Sequence, residues 1–390
     1  MRDRTTMSTL RSLMSHSLRP RAAPSTRLLH TQATSRPSSI AVPRLTSYTS
    51  HPHSKRPFAV PNPDPASLRT MSSTTIASAQ PVTAPLTQHA TFLVLSVRDP
   101  SAIPTIRSTL ADVSSLAKNV SFRDADAKFT CSVGIGSSLW DRVTNNLPRP
   151  KELHPFRDVR GAKHTAVSTP GDLFFHIRSQ RRDLCFEFER QLMDRLGSAV
   201  RLEDATIGFR YFDARDLLGF VDGTANPVGP NVPAAVLVTS EDEPSGSAAA
   251  VGGSYVVVQK YIHDLDAWKA LSTEQQERVI GRTKADNIEL DDADEGEQAS
   301  HKTLSTIEDD DGNEHEILRD NMPFGSPASG EFGTYFVGYT RQLWVIEKML
   351  ERMFVGHPPG LHDRLLDFSR PLTGSVFFAP ALDILEGLDR

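Results

Sequence analysis

Residues 219–227 read Gly-Phe-Val-Asp-Gly-Thr-Ala-Asn-Pro. One acid, Asp222, is held between Gly219 and Gly223, after an apolar run and before an Asn-Pro turn. Glycines let the backbone approach a ligand closely, and a carboxylate fixed there can take and return a proton. The same spacing also suits a tight turn with Asp222 capping a helix. Arg319 and Asn321 stand two apart in Ile317-Leu-Arg-Asp-Asn-Met-Pro-Phe324. On an extended segment they point to one face. A guanidinium beside an amide is a donor cluster suited to an oxygen anion or a peroxide; a surface ion pair is the plainer use. Of 13 histidines, six lie in stretches with local order: His164, His176, His263, His301, His357 and His362. His176, inside Phe-Phe-His-Ile-Arg178, reads as a strand-face residue. His301 follows an acidic loop, and nothing local distinguishes it.

Other chemistries are excluded. There is no P-loop and no HExxH. Val133-Gly-Ile-Gly136 lacks the third glycine of a dinucleotide fingerprint and reads as a strand end. The acidic hairpin Glu308-Asp-Asp-Asp-Gly312 fails EF-hand spacing. Cys131 and Cys185, the 2 cysteines, make neither a disulfide framework nor a Cys-rich zinc site.

The elements that must position these residues alternate between strand and helix. Strand-like runs are Ala90–Val97, Phe129–Gly134, Leu173–Arg178, Tyr255–Ile262, Thr334–Tyr339 and Ser375–Ala379. Leu184, Phe188, Leu192 and Leu196 mark one helix, stopped by Gly197. Leu343, Ile346, Leu350, Met353 and Phe354 mark another, stopped by Gly356 and Pro358. Ser272-Thr-Glu-Gln275 fits a capping box. Asp311-Gly312 fits a hairpin turn. Each half runs strand, helix, strand, helix, strand, with the break near residues 228–253. Two such halves give an α+β chain built as a duplicated ferredoxin-like sandwich.

The 390 residues are long enough for two domains. Residues 1–69 hold 11 Lys and Arg against 2 Asp and Glu, which leaves 32 against 46 in the body. An acidic body argues against nucleic acid as partner, and no window is apolar enough to span a membrane. Residues 1–86, rich in Ser, Thr, Pro and Arg, cannot bury a core and read as a disordered extension. Arg2, Arg4, Arg11, Arg19 and Arg21, with Met7, Leu10, Met14 and Leu18 in a rough stripe, predict a mitochondrial transit peptide. Met71 is an alternative start, which would leave a cytoplasmic form.

The motif Gly219–Pro227 resembles the GxxDG signature of dye-decolourising peroxidases, in the form of the type B subgroup. Neighbouring stretches agree in order: Phe156–His164, Thr169–Arg178, Phe209–Asp216, Gly252–Tyr261, Arg319–Phe324, Gly333–Phe336 and Asp363–Phe368. The resemblance covers about Gln80 to the C-terminus. Ala225 departs from it, standing where relatives usually have Glu.

The resemblance implies two ferredoxin-like domains, 80–235 and 236–390, after a targeting extension at 1–79. It implies haem b, bound mainly by the C-terminal domain. Carried over by position, His301 is the proximal iron ligand and Asp363 the acid that holds its imidazole, with Asp367 as fallback. Asp222, Arg319 and Asn321 are the distal catalytic residues, and Gly219 and Gly223 shape the haem-side loop. The implied reaction reduces hydrogen peroxide and oxidises small aromatic donors in one-electron steps. Trp140, Trp268 and Trp344 are candidate electron relays. Handling of haem iron is the alternative function, and self-association is the implied quaternary behaviour.

Overall fold

The computed structural model describes residues 78–243 and 247–390. The transit-peptide stripe therefore lies outside the described residues. The low-complexity reading of 80–86 is corrected, because this stretch belongs to the body. Gln80 is buried; its amide nitrogen donates to the carbonyls of Val133 and Pro380, and its amide oxygen accepts the Val133 N–H. Pro81–Thr83 follows as a 3-10 turn that buries Val82.

The N-terminal half forms a four-stranded antiparallel sheet. Its strands are His89–Val97, Thr130–Ile135, Leu173–Ser179 and Val200–Phe209. Taken in chain order as one to four, they lie 4-1-3-2 across the sheet. The C-terminal half repeats this order with Ser254–His263, Met322–Ser326, Glu331–Thr340 and Ser375–Ala379. Both are the ferredoxin-like arrangement. The two sheets meet at two thin seams, each a single paired position: Phe324 with Gly208, and Phe378 with Ile135. The eight strands thereby close into a ring.

Closure explains why the strands read as continuous apolar runs rather than clean alternations. Phe92 and Val94 point into the ring, while Leu93 and Leu95 pack under the outer helices. Both faces are buried, so both select apolar residues. Arg182–Leu196 covers the N-terminal sheet through Leu184, Phe188, Leu192 and Leu196, and stops at Gly197. Leu343–Phe354 covers the C-terminal sheet. The capping box at Ser272 and Gln275 forms. The strands Val200–Phe209 and Met322–Ser326 escape the sequence pattern. Glu203, Asp204 and Gly208 in one, and Pro323 and Gly325 in the other, are poor strand formers.

Polar groups also lie inside the ring. Phe92 stacks on Tyr335 at 4.2 Å and on His176 at 4.9 Å. Arg178 Nη1 donates to Asp320 Oδ2 at 2.6 Å, with both residues buried. Breaking such a pair on one side strands a buried charge, typically at a cost of 3–5 kcal/mol. Trp140 and Trp268 are core residues, and Trp344 is half-buried.

Candidate active site

The Gly-x-x-Asp-Gly loop is held by its own sequence. Gly219 (φ +94°) and Gly223 (φ +76°) adopt left-handed backbone that side-chain-bearing residues avoid. Asp216 Oδ1 accepts the Phe220 N–H at 2.9 Å. Arg215 Nη1 donates to the carbonyls of Gly219 (2.8 Å) and Lys284 (2.7 Å), tying the loop to the segment behind it. Asp222 is thus presented on a fixed turn.

Arg319 and Asn321 share one face of an extended segment, and Asp320 takes the other. Asn226 clamps this segment: its Oδ1 accepts the Arg319 N–H (2.9 Å) and its Nδ2 donates to the Arg319 carbonyl (2.7 Å). Asn321 Nδ2 donates to Asp222 Oδ1 at 3.3 Å, while its Oδ1 accepts the Val337 N–H at 3.2 Å. On the reverse face, Asp320 is drawn inward by Arg178. That buried pair obliges the neighbours on either side to point at the cavity.

His301 opens the short helix His301–Ser305, capped by Ser300. Its Nδ1 lies 2.6 Å from Asp363 Oδ2. Asp363 is buried, and its Oδ1 accepts the Leu365 N–H at 2.9 Å. A carboxylate only accepts, so Nδ1 carries the proton and Nε2 presents its lone pair. Asp367 makes no bond to His301; its oxygens take Lys163, His164, His362 and Arg364.

One cavity, partly open to solvent, gathers most of the residues singled out above. His301, Asp222, Arg319 and Asn321 all face it, amid Phe220, Ile346, Met349 and other apolar side chains. A flat apolar macrocycle with a metal centre fits this set: broad apolar walls, one imidazole with a free lone pair, and few polar groups. Gln259 adds a buried Nε2 with no partner in the cavity wall.

Burial dominates the electrostatics. It pushes the Asp222 carboxyl above the ordinary range, against the opposing pull of Asn321, Gly223 and Arg319. Asp216, on the same wall, is pushed to about 7, chiefly by burial and further by the Asp222 charge. Burial also opposes the Arg319 charge, with Asp222 opposing the shift; a guanidinium stays protonated regardless.

Two other histidines on strands are held by different partners. His263 lines the cavity, but Nε2 meets Thr334 Oγ1 at 2.9 Å and Nδ1 meets Ser369 Oγ at 2.8 Å. Burial lowers its pKa to about 4. His176 is sealed in the ring, with Nδ1 on the Tyr339 hydroxyl. Sequence reading missed Asn226, Asp216 and Gln259. None of them carries a local signal for its part: Asn226, for example, bonds the backbone of Arg319, 93 residues away.

Comparison with known proteins identifies the family. The family descriptions "Dyp-type peroxidase, N-terminal" and "Dyp-type peroxidase, C-terminal" match residues 79–210 and 213–384. A dye-decolorizing peroxidase of Brevibacterium linens is 50% identical over 310 residues, covering 80% of this chain and 82% of that protein. A variant of Rhodococcus jostii RHA1 DypB, solved in complex with heme, superposes with a TM-score of 0.75 at 50% identity, covering 80% of this chain and 99% of that one. The encapsulated DyP-type peroxidase from Mycobacterium smegmatis gives 0.74 at 49% identity, covering 80% and 98%.

These relatives are bacterial, and one is encapsulated. They overturn the mitochondrial location and the transit peptide expected from the basic head. Arg- and Ser-rich composition is generic and does not by itself mark an address. The matches cover the body, where the fold and the site are. The chain belongs to the Dyp-type peroxidase family, type B subgroup, and is a haem-dependent peroxidase.

Proposed function

We propose that the cavity residues divide the work of peroxide reduction between two groups. The supporting observation is the convergence of His301–Asp363 and Asp222–Arg319–Asn321, from four separate stretches of sequence, on one cavity. His301 would hold haem b through Nε2. Asp363, accepting the Nδ1 proton, fixes the tautomer and raises the basicity of the ring. Gly219 and Gly223 would let the loop approach the macrocycle closely. Haem, when bound, supplies an iron that exchanges electrons with peroxide and with donors.

The remaining steps belong to the chain. Asp222 takes a proton from one oxygen of hydrogen peroxide and returns it to the other. Arg319 offsets the negative charge that grows on the departing oxygen. Asn321, already bonded to Asp222, orients the peroxide or a water. The raised pKa of Asp222 means its basic form is lost at a higher pH than for an ordinary aspartate, so peroxide reactivity falls on the acid side. Arg319 contributes more than Asp222, because water and Asn321 substitute for a missing proton carrier and nothing substitutes for the guanidinium.

The domains divide at 80–235 and 236–390, with the haem-holding residues His301 and Asp363 in the second. Small aromatic molecules are the electron donors. Self-association of the chain is part of this reading.

The test is rapid-mixing kinetics of haem-loaded Arg319→Leu and Asp222→Ala with hydrogen peroxide. Arg319→Leu should lose on the order of 100–1000-fold in rate, and Asp222→Ala less. The reverse order would make the aspartate the main catalytic group. Unchanged rates in both would remove the cavity assignment.

A further inference from the structure

A second histidine–carboxylate cluster lies away from the cavity. His164 Nε2 and His362 Nε2 sit 2.9 Å and 3.0 Å from the same oxygen, Asp367 Oδ1. One ligand atom from each residue fits within 4.8 Å of the others. The rings stand edge to face, centroids 5.0 Å apart. We propose that His164, His362 and Asp367 form a binding site for a divalent transition-metal ion of the zinc type, separate from haem. Two imidazoles and one carboxylate are the donor set such ions take, leaving a fourth position for water.

The backbone preorganises this set. His164 ends a tight turn between the paired strands Val159–Arg160 and Thr165–Ala166, closed by the Gly161 N–H donating to the His164 carbonyl at 2.9 Å. The turn is pressed against the end of the helix Leu343–Phe354; any Cβ at Gly161 would collide with the Phe354 carbonyl. On the other side, the His362 carbonyl accepts from Gln298 Nε2 at 3.0 Å. Asp367 closes the 3-10 helix Arg364–Asp367. Tetrahedral ligands about 2.0–2.2 Å from an ion stand roughly 3.3–3.5 Å apart. Opening the two Nε2–Oδ1 separations from 2.9 and 3.0 Å to about 3.4 Å would admit the ion.

Lys163 Nζ, 2.5 Å from Asp367 Oδ1, and Arg364 Nε, 2.6 Å from Oδ2, hold the carboxylate without metal. Both side chains are about half exposed, at 57% and 49%, while the histidines and Asp367 are at 19%, 15% and 11%. The cations can swing into water, whereas the three ligands cannot leave. Bound metal would clip a turn of the N-terminal half to the segment that begins at Asp363, the residue holding His301.

The experiment is equilibrium dialysis of untagged, haem-loaded protein against Zn²⁺ at neutral pH, with zinc counted per chain. One Zn²⁺ per chain is expected. His362→Gln should weaken it by at least the roughly 10–100-fold that outer-shell changes alone cost. Exposed His357→Gln should leave it unchanged. Lys163→Met, a change at an exposed side chain, should tighten it by removing the competing cation. No zinc retained by the unaltered chain, equal retention in His362→Gln, or no response to Lys163→Met would each overturn the site and leave an ion-pair hub.

Discussion

Asp363 and Asp367 stand four residues apart, one capping and one closing the same 3-10 helix, yet they keep opposite company. Asp363 is fully buried and gives one oxygen to one imidazole, His301, and the other to a backbone N–H. Asp367 lies nearer the surface and gathers two imidazoles, a lysine and an arginine. That company pulls its carboxyl far below the ordinary aspartate range, against the effect of burial. One carboxylate serves a single ring at the cavity; the other is saturated. Identical residue types in the same helical turn acquire different chemistry from burial and partner number alone.

The hardest test of this contrast is His301→Ala, which should abolish haem retention, read as loss of the histidine-ligated optical spectrum. His263→Ala should retain it, since both His263 ring nitrogens are already bonded. The reverse result would move the iron site.

Asp363→Asn comes next. An amide in place of the carboxylate loses the push on the ring, and haem affinity should fall by about 10–100-fold, as for other outer-shell partners of a metal-bound histidine. Asp367→Asn should leave haem affinity within about twofold on the same reasoning, since it does not touch His301. Haem transfer to apomyoglobin measures both. Equal losses would erase the distinction between the two aspartates.

Arg178→Leu probes the buried pair behind Arg319 and Asn321. It should destabilise the fold by about 3–5 kcal/mol in denaturant unfolding, by leaving Asp320 unpaired. Replacing both partners, Arg178→Leu with Asp320→Leu, should recover much of that loss. A double variant no better than the single would show that the pair does more than neutralise charge.

A last effect concerns pH. Asp216 stays protonated in the folded chain up to about pH 7, while in an unfolded chain it ionises near 3.9. The raised folded value favours folding below the unfolded pKa and is progressively lost towards pH 7. Asp216→Asn keeps the acceptor for Phe220 and has no such dependence. Its Tm difference from the unaltered chain should therefore shift in the variant's favour between pH 4 and 7. A flat difference would place Asp216 in a wetter setting.

Much of the fold was legible because it rests on local rules. Leu184, Phe188, Leu192 and Leu196 recur at helical spacing and bury together, and Ser272 with Gln275 announces a helix start that forms as read. Asp222 between two glycines was legible for a related reason: the left-handed backbone at Gly219 and Gly223 leaves a signature in residue type. Strand Val200–Phe209 was not legible, because its charged and glycine positions suit its place in the ring rather than any local preference.

The sequence alone determined the residue types available at each turn, the helical faces, and the order of motifs that marks the family. Tertiary structure decided which groups meet. Nothing within ten residues of His301 distinguishes it from His263 or His176; its partner Asp363 is 62 residues away. Asn226 reaches Arg319 across 93 residues, and Arg178 reaches Asp320 across 142. The carboxylate that turns His301 towards the cavity, and the one that draws His164 and His362 together, differ by burial and neighbours. Those are properties of the closed ring and its packing, which no local stretch of the chain contains.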